Sequence, residues 1–147
     1  MKAAKSKTLA TWLALVAGSL GLHRFYLHGP KDVWGWLHLP PALLGSYGVW
    51  RMLELGHDDR LAWALIPLLG LALSASMLAA IVYGLMPDEK WNARFNAGAA
   101  ATSSGWLAVL GVLAALTVGS TVLIATIAFS GQRYFESQVE AGRQISQ

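Results

Sequence analysis

The residues with most to offer chemically lie in one stretch, Gly18-Ser19-Leu20-Gly21-Leu22-His23-Arg24-Phe25-Tyr26-Leu27-His28-Gly29-Pro30, with Asp32 just beyond it. A guanidinium and a carboxylate on either side of a Gly-Pro breaker suit an ion pair across a tight turn. Arg24 at a membrane edge buries its stem and keeps its charged head among phosphates. The pair then has two roles open to it, a clamp that anchors the turn with His23 and Tyr26, or a recognition surface for a partner protein or an anionic lipid. His38 is the other candidate. Beside the helix-breaking Pro40-Pro41 it could satisfy freed backbone groups, relay protons or hold an ion. His23 and His28 are five residues apart and do not share a helix face, and the chain has no cysteine. We therefore expect no metal site, no cofactor and no catalytic constellation.

Composition says where these residues must sit. Hydrophobic residues make up 55% of the 147 and charged residues 13%, against about 25% charged in soluble domains. Apolar runs of about 20 residues are what bilayers require. The net charge of +3 is spread over termini and short loops, which suits lipid phosphate rather than nucleic acid. The runs predict an all-α integral membrane protein of four transmembrane helices in two antiparallel hairpins.

The first span runs from Thr8 to about Leu27 and carries His23 and Arg24 near its far end. Its basic start, short apolar run and Ala17-Gly18-Ser19 also fit a cleaved signal peptide, although cleavage there would leave the apolar motif at the new terminus. The second span covers about Lys31 to Leu55 and is kinked or broken at Pro40-Pro41. Leu61–Met86 and Ser103–Ser130 form the third and fourth. Residues 1–57 thus make one hairpin, 58–131 a second, and 132–147 a short polar tail. Between the last two spans, Trp91 and Phe95 four residues apart would let a helical turn lie on the membrane surface. Four spans put both termini on one side, and the Lys and Arg distribution places that side in the cytoplasm of a cell (inner) membrane. Lys7 and Glu54 would then meet as a second clamp. Arg94-Phe95 echoes Arg24-Phe25 weakly. Ser76, Ala80 and Gly84, and Gly111, Ala115 and Gly119, recur every four residues as small-residue stripes for helix packing, within the bundle or in a homo-oligomer.

Lys7, an apolar run, Gly18-x-x-Gly21-x-His23-Arg24-Phe25-Tyr26-Leu27, then Gly35 and Gly48-Val49-Trp50-Arg51-Met52-Leu53-Glu54 together resemble the TM-two (TM2) domain. This is a family of two membrane helices joined by a short turn bearing Asp/His-Arg-Phe. The resemblance covers about Lys5 to Leu55. His28 before Gly29, Glu54 in place of an aspartate, and Pro40-Pro41 depart from its pattern. The resemblance implies a membrane hairpin with no assigned enzymatic activity. We expect an accessory, scaffold or signalling-partner protein whose turn (Gly18, Gly21, His23, Arg24, Phe25, Tyr26 and Asp32) recognises a lipid, another membrane protein or a second copy. The alternative is a small transporter or channel component using the broken second helix and His38.

Overall fold

A computed structural model of the chain describes residues 3–145. Those residues are all helix and connection, with no strand among them: α1 (Lys7–Ala17), a 3₁₀ turn (Gly18–Leu20), α2 (Leu22–His28), α3 (Val33–Trp36), α4 (Leu39–Leu55), α5 (Arg60–Leu85), α6 (Asp88–Phe95) and α7 (Trp106–Ile145). Among the described residues two helices, not four, are long and apolar enough to cross a membrane: Arg60–Leu85 and Trp106–Arg143.

α5 is the central element, and α1, α4 and α7 all pack on it. α4 runs antiparallel along its first half, with Gly45 against Leu69 and Gly48 against Leu65. A Cβ on either glycine would strike α5, so glycine sets this close approach. α1 covers the other half, with Gly18 against Ser76 and the Lys7 amine donating to the Met86 carbonyl. α7 lies parallel to α1. Gly111 abuts Thr11, Gly119 abuts Met77, and the Trp12 indole donates to the Leu107 carbonyl at 3.0 Å.

The first predicted span is not one helix. α1 and its 3₁₀ turn rise about 22 Å, and the chain then reverses. Gly21 adopts φ 76°, and its N–H closes the turn on the Gly18 carbonyl at 2.9 Å. α2 returns towards the start of α1, so the Tyr26 hydroxyl accepts from the Ser6 N–H at 2.7 Å and the Lys5 amine donates to the Leu27 carbonyl. In a straight helix, residues 6 and 26 would lie about 30 Å apart. The second predicted span is broken outright. α3 ends at Trp36, and α4 starts at Leu39 with prolines in its first turn, where a missing N–H costs no helical bond.

This path separates the termini. The N-terminal segment lies at the Leu85 end of α5, which we call the near end. α7 runs to the far end, where Arg60 meets Glu140 at 2.6 Å. The Gly29-Pro30 turn therefore shares the near end with the N-terminus, whereas four straight spans would have placed the two termini together and the turn opposite. The tail continues α7 as helix to Ile145, and 40 residues reach about 60 Å.

Candidate functional site

Asp32 organises the turn. Its carboxylate accepts from Arg24 Nε at 2.7 Å and Nη2 at 3.1 Å, a two-point ion pair, and it also caps α3 by accepting from the Gly35 N–H at 3.2 Å. The Arg24 guanidinium accordingly holds the Asp32 carboxyl below its ordinary pKa. Phe25 packs edge-on against Trp36, with ring centroids 5.2 Å apart, and leaves room for no side chain at Gly35. Trp36 donates its indole N–H to the Pro30 carbonyl at 2.8 Å. Gly29, at φ 88°, makes the corner.

His23 is buried, only 1% exposed, and its Nδ1 has no hydrogen-bond partner. The fold brings His38 to it across the helix break, with ring centroids 5.3 Å apart, and Tyr83 lies at 5.8 Å. The His38 Nδ1 pairs with the Trp34 carbonyl at 2.6 Å, so this ring satisfies the backbone of the turn preceding the break. His28 meets Phe95, centroid to centroid at 6.0 Å.

Lys7 pairs with Asp88 at 2.6 Å rather than with Glu54, which lies exposed at the far end. Ser104 gives Asp88 two further donors, N–H at 3.0 Å and hydroxyl at 2.7 Å. These bonds, the Lys7 one foremost, lower the Asp88 pKa to about 2. Trp91 does not lie on a membrane surface. It is fully buried among Ala10, Leu27 and Tyr83, and its indole N–H donates to the Lys5 carbonyl at 2.8 Å. α6 is therefore a lid on the near end. Asn96, 4% exposed, completes it by accepting from the Lys5 N–H at 2.7 Å.

The small-residue positions lie at close approaches inside the bundle. Ser76, Ala80 and Ala115 are fully buried, Gly84 faces Val112, and Gly111 and Gly119 face Thr11 and Met77.

A second feature escaped the sequence reading although its signal is in the residues. Gly18-Ser19-x-Gly21-x2-Arg24-x4-Gly29-x2-Asp32-x3-Trp36-x3-Pro40 recurs 27 residues on as Gly45-Ser46-x-Gly48-x2-Arg51-x4-Gly56-x2-Asp59-x3-Trp63-x3-Pro67. The second copy builds the same corner at the far end. Arg51 donates to Asp59 at 2.7 and 3.0 Å, Gly56 sits at φ 94°, and the Trp63 indole donates to the His57 carbonyl at 2.6 Å. The Arg–Asp pair is thus a general device for closing an α–turn–α corner in this chain. The histidines are not part of it, because Trp50 and Leu65 replace His23 and His38 in the second copy.

The described residues form a small all-helical bundle packed through glycines around corners closed by Arg–Asp pairs, with two helices long and apolar enough to cross a membrane. The family model of the TM2 domain matches residues 3–55 of the chain. No curated protein and no solved structure matches the chain. The matched segment holds all of the first corner, α4 and Arg51 of the second, but not Asp59 or Trp63.

Proposed function

We propose that this is a non-enzymatic accessory or scaffold protein of the cell membrane, which engages another membrane protein through the outer face of the first corner. One observation carries the reading. The clamp occupies Arg24, Asp32, Phe25 and Tyr26 internally, and it holds Val33 and Trp34 outward, 67% and 65% exposed, on a four-residue helix pinned at both ends. A large rigid aromatic presented without internal partners is the kind of group that anchors interfaces.

In the membrane arrangement we infer, α1 and α2 dip in from the near end and return, and α3–α4, α5 and α7 cross. Among the described residues the near end carries Lys5, Lys7, Arg24, Lys31, Lys90 and Arg94, and the far end Arg51, Arg60, Arg133 and Arg143. That bias favours a cytoplasmic near end, corner included, and a C-terminus on the opposite side.

The test places a photo-crosslinking residue at Trp34 in native membranes, with Leu78 on α5 as an equally exposed apolar control. We expect a partner adduct at Trp34, absent at Leu78 and lost when Arg24→Ala releases the clamp. The same adducts at both positions, or an adduct indifferent to Arg24→Ala, would remove the corner from the recognition surface. The meeting of His23 and His38 at a helix break supports a second reading, a transporter or channel component, because broken helices build ion sites. An ion flux in proteoliposomes abolished by His38→Ala would put that reading first.

A further inference from the structure

Two of the six cations at the near end are held by carboxylates: Lys7 by Asp88 and Arg24 by Asp32. Lys5 and Arg94 have no carboxylate partner among the described residues. The Lys5 amine donates to the Leu27 carbonyl, and the Arg94 guanidinium lies over the Phe95 ring, 5.4 Å from its centroid. Both line one cavity of about 500 Å³, floored by Phe95 and by the methyls of Ala3, Ala97 and Ala99. His28 sits against Phe95. Two uncompensated charges on one cavity wall make an anion site, and methyl and aromatic surface beside them suits a ligand with an apolar part.

The walls are held in place. Lys5 belongs to the N-terminal segment and Arg94 to α6, and the buried Asn96 ties the two together by accepting from the Lys5 N–H and donating to the Lys5 carbonyl at 3.2 Å. The Trp91 indole bonds that same carbonyl. Asn92 extends the fastening to the next loop, where its side-chain oxygen accepts from the Thr102 N–H at 2.9 Å. The cavity is therefore formed before any ligand arrives, which lowers the entropy cost of binding.

Its depth selects the source of the anion. The apolar run of α5 ends at Leu85-Met86-Pro87, and α6 begins at Asp88. A cavity on α6, just outside that last turn, lies where hydrocarbon gives way to headgroups. We propose that the Lys5–Arg94 cavity binds the phosphate of an anionic phospholipid headgroup, with Lys5 and Arg94 flanking the phosphate and Phe95 against the glycerol. This is independent of the partner surface at Trp34.

The experiment is native mass spectrometry of the full chain in neutral detergent, titrated with phosphatidylglycerol, with phosphatidylcholine of the same acyl chains, and with inorganic phosphate. We expect preferential retention of phosphatidylglycerol. Arg94→Gln should weaken it roughly tenfold, the size of one lost charge-assisted contact. Lys5→Arg should keep it, and so should Lys90→Gln, since Lys90 is on α6 but outside the cavity. Inorganic phosphate displacing the lipid at matched concentration would keep the phosphate site and reassign its source to a soluble anion. Equal retention of both lipids, or equal losses in Arg94→Gln and Lys90→Gln, would overturn the site and leave only diffuse surface charge.

Discussion

Gly21→Ala is expected to destabilise the protein by about 3 kcal/mol or more, through two costs that add. The backbone there is left-handed, φ 76°, which costs a residue with a Cβ about 1–2 kcal/mol. The new methyl would also be driven into the carbonyl oxygen of Gly35, a backbone atom that no rotamer change can move. α1 could then no longer turn back into α2, and the corner would lose its seat on α3. Gly98→Ala separates the two costs, because Gly98 has a similar φ of 81° with nothing within 4 Å of its added methyl. Denaturant unfolding in detergent should show a loss for Gly21→Ala well beyond that for Gly98→Ala. Equal losses would mean that the contact with Gly35 is not close.

Trp91→Ala should cost about as much or more, in the range of 3–5 kcal/mol found for emptied aromatic sites. The ring is fully buried, lies 4.5 Å from Phe95 centroid to centroid, and closes the cluster of Ala10 and Leu27. Its removal also leaves the Lys5 carbonyl short of a donor. Trp91→Phe retains most of the packing and loses the indole N–H, so it should give back all but about 1 kcal/mol. Trp106→Ala, at a residue 80% exposed, should move stability by no more than about 0.5 kcal/mol. A Trp91→Ala variant as stable as Trp106→Ala would show that α6 is not a lid but a surface helix.

These two residues also mark what the sequence disclosed and what it withheld. Arg24 and Asp32 around Gly29-Pro30 were legible as a pair, because a guanidinium and a carboxylate flanking a breaker have few other arrangements. Direction was harder to read. Thr8 to Leu27 has the composition of one helix, and hydropathy alone does not reveal that Gly21 turns left-handed where Gly18 meets Ser76 of a helix fifty-odd residues on. Once the chain reverses there, every later assignment of side changes with it, including the pairing of Lys7 with Asp88 instead of Glu54. The same Gly-x2-Gly spacing stays helical at Gly45 and Gly48, so the spacing alone does not decide. Tertiary contact does. Trp91 was misplaced for a related reason, since an amphipathic turn looks the same whether its aromatic face meets lipid or the end of a bundle. The recurrence of the corner is legible in the Gly, Arg, Asp and Trp spacing 27 residues apart, whereas Arg94-Phe95 matches the first copy at two residues only.

The most direct test of this fold is the side on which the N-terminus lies. The chain has no cysteine, so single cysteines can be labelled in intact membranes without background. Cysteines at Ala3, Ala97 and Gly142, probed with a membrane-impermeant maleimide from each side, suffice. The fold described here predicts that Ala3→Cys and Ala97→Cys label from one side and Gly142→Cys from the other. If Ala3→Cys instead labels together with Gly142→Cys, the first helix runs straight across the membrane, and the reversal at Gly21 is wrong.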